Sequence, residues 1–150
     1  MKFKLNKLPI LLYFCVLVLC SCTLFTSHYD AFRHKNYTNL KAYHLKFIED
    51  NTEDEGNVWN ENDIIEKCDI GELKFREAYE YALSKDKKDF TGSKAIKYLN
   101  EEFSENCKML LKRKKLFNNS FVKGEYGILS EIKKQYGFAI AGEEYRVGKQ

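Results

Sequence analysis

Proline is almost missing. The 150 residues hold one, Pro9, so nothing after it breaks a helix by ring closure. Histidine is scarce as well: His28, His34 and His44 are the only three. Their spacing stacks them on no common helical face, and there is no His-Glu-x-x-His. No metal centre is expected, and His44 reads as a packed, hydrogen-bonded core histidine. The loop Asn51–Asn62 has Gly56 at the sixth place of a calcium loop. Its first and twelfth places are Asn51 and Asn62, where such loops need carboxylates, so it reads as a solvated acidic loop.

Catalytic signatures are missing in the same way. Ser84, Ser93, Ser104, Ser120 and Ser130 lack a glycine-flanked elbow. His44 can be drawn as a base for Cys68 or Cys107, but no spacing sets it beside either thiol. Glu101-Glu102 and Glu143-Glu144 are adjacent pairs, which point apart on a helix and read as solvated faces. Gly124-Glu125-Tyr126-Gly127 has no strand context for a phosphate or dinucleotide site. No catalytic residue and no cofactor is expected. There is no internal repeat and no low-complexity tract.

Acid is absent from the first 29 residues, while Lys2, Lys4 and Lys7 crowd the start. Those lysines account for the whole formal charge of +3. Past residue 21, bases and acids balance. A neutral body has no general electrostatic reason to bind nucleic acid, and none is expected as a partner.

The lysines lead into Leu8–Leu19, LPILLYFCVLVL, which carries no charge. Basic and then apolar is the order that export machinery reads. The run closes on Leu19-Cys20-Ser21-Cys22. This box resembles the bacterial lipoprotein signal: Leu19 at the aliphatic position, Cys20 and Ser21 at the small ones, Cys22 as the lipidated cysteine. A second frame ending at Cys20 is poorer, because it puts the bulky Leu19 before the cleavage point. The resemblance covers residues 1–22 only. It implies a cleaved leader (1–21), a diacylglycerol thioether and an acylated amine on Cys22, and a tether over 22–27. Thr23, rather than aspartate, after the cysteine implies outer-membrane sorting in a Gram-negative cell. The rival is an uncleaved anchor, since Leu8–Phe25 gives 18 residues without charge, the lower edge of a span. Both place the body, 28–150, beyond the membrane. Several acyl chains would hold far more strongly than one.

Apolar residues of the body recur at helical steps. Tyr29, Phe32, Tyr37, Leu40, His44, Phe47 and Ile48 predict a helix over roughly 28–50. A surface loop follows, with Trp59 folding back on the body. Ile64, Ile65, Cys68, Phe75, Tyr79, Ala82 and Leu83 mark a second helix over about 63–85. Gly71 inside it fits a bend or a close helix contact. After a turn at 86–92, Ser93 can cap a third helix over about 94–117, carrying Ile96, Leu99, Phe103, Cys107, Leu110, Leu111 and Phe117. Asn118–Ser120 interrupts it. Tyr126, Leu129, Ile132 and Tyr136 form a fourth stripe that Gly137 is placed to end. Phe138–Ala141 then opens a short irregular tail and either packs on the bundle or forms an isolated strand. The expected fold is all-α: a small antiparallel bundle of three to four helices.

Within a hairpin turning at 86–92, the mirror partner of Cys68 falls near residue 110, within one turn of Cys107. An exported chain can bridge the two, whereas two buried thiols acting as small hydrophobes are the alternative. Lys112, Arg113, Lys114 and Lys115 complement a helix C-terminus, or touch lipid headgroups or an acidic partner. The ten tyrosines and eleven phenylalanines include Tyr43, Tyr81 and Tyr98 off the stripes. Such tyrosines either line half-buried margins or build a recognition surface.

Three functional classes follow. The first is a non-enzymatic, lipid-anchored envelope protein that binds or blocks a protein partner, of the immunity, surface-exclusion or assembly-accessory type. The second is a small envelope enzyme or ligand carrier, and the third an envelope spacer.

Overall fold

The computed structural model describes residues 30–86 and 91–145. The leader, Cys22, the tether 22–27, His28, the middle of the turn and the last five residues lie outside them. Asp30–Glu143 forms one compact unit. Glu144 and Tyr145 fall outside that unit.

The fold is all-α. Among the described residues, four long helices, α1 (Ala31–Asp50), α2 (Glu61–Lys85), α3 (Thr91–Arg113) and α5 (Ile128–Tyr145), are joined with one short helix, α4 (Asn119–Lys123). Side-chain caps set the starts. The Asp30 carboxylate accepts the N–H groups of Phe32 and Arg33 at 3.0 and 3.1 Å, and Asn60 accepts that of Asp63 at 3.2 Å. Asn118 does the same for Ser120 ahead of α4.

The tightest seam is the α2–α3 hairpin. Its axis runs through the Cys68–Cys107 disulfide, whose Cα atoms are 6.1 Å apart. Gly71 sits one turn further on, where an added Cβ would run into the Phe103 ring, so the missing side chain sets how closely the helices approach. Phe103 is fully buried and meets Phe47, Phe75 and His44 at ring-centroid distances of 5.1 to 5.4 Å. Burying a phenylalanine stabilises the fold by roughly 1.5–3 kcal/mol, and this ring joins three helices. α1 packs antiparallel to α2 (Asp30 meets Tyr81, Tyr43 meets Lys67). It packs antiparallel to α5 as well: His44 meets Tyr136 and Arg33 meets Glu143.

Five expectations need correction. The third helix stops at Arg113, because Lys114 turns left-handed at φ 52°. Phe117 is buried, but beyond that helix, where its backbone bridges to Thr52. The loop is therefore not wholly a surface one. Asn51 and Thr52 are buried, their side chains donating to the carbonyls of Phe47 and Ile48 at 2.8 and 2.7 Å. Ser93 lies inside α3 rather than capping it; its N–H is taken by the Asp86 carboxylate at 2.7 Å, a stronger acceptor at a positive helix end. Gly137 ends nothing, and the tail through Tyr145 is helix. Glycine costs about 1 kcal/mol there, and buried contacts at Tyr136 and Glu143 on either side of it outweigh that. Finally, Tyr126 is 93% exposed and precedes the fourth stripe, while Ile65 and Leu83 face outward from the second. Trp59 does fold back, its Nε1 donating to the Leu110 carbonyl at 3.3 Å.

Candidate functional site

Three groupings of polar side chains stand out, and two are internal. At one end of the bundle, Arg33 is buried on the first turn of α1. Its Nη2 lies 3.0 Å from Asp86 at the end of α2, and its Nη1 lies 3.1 Å from Glu143 on α5. Gly92, at the start of α3, leaves room for the guanidinium, since a Cβ there would stand 2.6 Å from Nη1. Burial works against the arginine's charge, but the two carboxylates outweigh it and raise the pKa. Asp86 thus anchors Arg33 while holding the N-terminus of α3. Asp30 stands at the same end. Burial lifts its carboxyl, and the Tyr81 hydroxyl with the N–H groups of Arg33 and Phe32 more than reverses that, leaving its pKa lowered.

The second grouping surrounds His44 at mid-bundle. Its ring is fully buried, with Asn106 Nδ2 at 3.0 Å from Nε2 and the Tyr136 hydroxyl at 3.5 Å from Nδ1. Burial pushes the imidazole pKa down to about 3, and it pushes that of the Tyr136 phenol up. A neutral ring hydrogen-bonded at both nitrogens is a core histidine, as its place on the stripe predicts.

The third lies on the surface, in the outer seam of the α2–α3 hairpin. A cleft of about 320 Å³ opens there. Phe75 and Ile96 form its floor, with half-buried Tyr79 beside them, and exposed Glu72, Arg76 and Lys97 stand at its rim. Asn100 closes one side, its Oδ1 buried with no hydrogen-bond partner. Helical spacing brings these together: 72, 75, 76 and 79 share one face of α2, and 96, 97 and 100 one face of α3.

The residues singled out from sequence fare differently. Cys68 and Cys107 are brought together as a disulfide. Lys112, Arg113, Lys114 and Lys115 are exposed at the end of α3. That is a helix length, about 35 Å, from the Arg33 end. Tyr43 is half-buried and hydrogen-bonded to the Lys67 carbonyl, Tyr81 is half-buried on Asp30, and Tyr98 is half exposed. Among the described residues no group of His, Cys, Asp and Glu is placed to hold a metal, and no helix is long and apolar enough to cross a membrane.

The sequence pattern does not single out Arg33, Asp86, Arg76, Lys97 or Asn100, and Glu143, expected on a solvated face, is buried because Arg33 holds it in the core. For Arg33 a signal existed: it stands four residues before Tyr37, in line with Leu40 and His44, while its neighbour Phe32 is 52% exposed. A charge on the buried stripe needs a buried partner.

No protein-family model, no curated protein and no solved structure matches the chain.

Proposed function

We propose that this is a lipid-anchored envelope protein, held through Cys22, that acts by binding or blocking a protein partner rather than by catalysis. The observation that carries the address is the Cys68–Cys107 disulfide. Disulfides persist in oxidising compartments, which is where the lysine-then-apolar leader and its Leu19–Cys22 box would deliver the chain. Two independent features, one in the leader and one in the core, thus call for the same side of the membrane. Outer-membrane sorting rests on Thr23 alone.

Support for partner binding comes from how the bundle distributes its polar groups. The buried ones, Arg33, Asp86 and His44, are engaged with one another or with neighbours in the core. The cleft between α2 and α3 and the exposed run Lys112–Lys115 lie at the surface, open to a partner. That run offers its charges to an acidic partner or to anionic headgroups.

The test is replacement of Cys22 by alanine in cells fed labelled palmitate. Loss of label and accumulation of uncleaved precursor are expected. Unchanged labelling would end the anchor assignment. Affinity capture from detergent-solubilised envelopes tests the rest, and repeated recovery of no protein partner would remove the binding reading. Ligand carriage is the second reading, because the cleft's volume lies at the lower edge of small-molecule sites.

A further inference from the structure

We infer that the α2–α3 cleft is the docking site for an acidic peptide segment of the partner, with one apolar side chain seated between flanking carboxylates. The inference rests on the partner-binding reading and gives it a place and a chemistry.

The floor sets the anchor. Phe75 and Ile96 are buried, and Tyr79 lies half-buried along the wall, so the base of the cleft is hydrocarbon. A leucine-sized side chain suits such a floor, and the rim then excludes water around it.

The rim sets the charge. Arg76 and Lys97 stand on opposite helices, and neither enters an ion pair among the described residues. Glu72, the one acid lining the cleft, acts electrostatically on Lys108. The charged residues of the lining therefore sum to +1, two bases against one acid, although the body as a whole is neutral. Carboxylates on both sides of the anchor would meet Arg76 on α2 and Lys97 on α3.

The orphan acceptor sets the backbone. Asn100 Oδ1 is buried and unpaired, which costs free energy unless a donor arrives. An apolar ligand brings no donor and a free anion brings none. A peptide brings an N–H at every residue, and one next to the anchor side chain can reach that oxygen.

The test uses the full mature protein in detergent, isotopically labelled, and a capped pentapeptide with leucine at its centre between aspartates and glutamates. Its counterpart has every acid replaced by lysine. The acidic peptide should move the Ile96 methyl and Asn100 side-chain amide signals and bind at least tenfold more tightly than the lysine peptide. Arg76→Glu with Lys97→Glu, both at exposed positions, should reverse that preference while leaving the melting curve in place. Equal binding of the two peptides, or no movement at Ile96 and Asn100, would overturn the site. So would phosphatidylglycerol vesicles moving those signals while the peptide left them still. Capture from envelopes separates the two levels. A partner recovered equally by the wild type and the double variant removes the cleft and leaves partner binding standing, whereas no partner with either removes partner binding itself.

Discussion

Arg33 Nη1 lies 3.1 Å from Glu143 Oε1, joining the first turn of α1 to the last turns of α5 across 110 residues of chain. Both side chains are 5% exposed or less, and Asp86 completes the group from the end of α2. Such a cluster stabilises little when whole and costs much when broken, because the survivors keep their charge without water. Arg33→Met should therefore lower unfolding free energy by roughly 3–5 kcal/mol. Urea denaturation measures it. A loss under 1 kcal/mol would mean the carboxylates find other partners.

The His44 ring should make stability depend on pH. Its pKa falls from 6.5 in the unfolded chain to about 3 in the fold. Between those values the unfolded state binds the extra proton, so stability is complete above pH 6.5 and declines as pH falls toward 3. The slope is on the order of 1.4 kcal/mol per pH unit. Asp30 adds a loss in the same direction, but below pH 3.8, where its carboxyl titrates. Denaturation at pH 7 and pH 5 should differ for the wild type, and His44→Phe should flatten that difference. An equal slope in the variant would assign the effect to other groups.

Removing the disulfide should cost about 4 kcal/mol by the chain-entropy argument, given a separation of 39 residues. Cys68→Ala with Cys107→Ala, compared with the wild type by urea midpoint under oxidising and reducing conditions, reads this directly. Reductant should shift the wild type alone.

Gly71→Ala should destabilise by roughly 1–3 kcal/mol, since its methyl group enters the space of the Phe103 ring. Shortening that ring with Phe103→Leu should make the glycine change cheaper. The double variant would then cost less than the two single changes together, and strict additivity would mean that the methyl group and the ring do not meet.

Much of this architecture was legible from periodicity. The stripes through Tyr37–Ile48, Ile64–Ala82, Ile96–Leu110 and Leu129–Tyr136 all face the core. The hairpin argument pairs Cys68 with Cys107 because two helices joined by a short turn have a mirror register. What periodicity misses is set by contacts distant in sequence. Phe117 leaves the helix because the Asn51 carbonyl and the Glu53 N–H offer its backbone partners, and α5 continues past Gly137 because Arg33 holds Glu143. The cleft is hidden for a related reason: Arg76, Lys97 and Asn100 look like ordinary outer-face residues until the register of α2 on α3 sets them around Phe75 and Ile96. Local pattern fixes which face is buried, and the packed register decides which outer residues become neighbours.

The mass of the intact protein isolated from cell envelopes bears most directly on the account. It predicts a chain beginning at Cys22, heavier than its amino acids by a diacylglycerol and one further acyl group, with Cys68 and Cys107 together two hydrogen atoms lighter than free thiols. A chain that begins at Met1, carries no lipid, holds both thiols free and is found in the cytoplasm would contradict it.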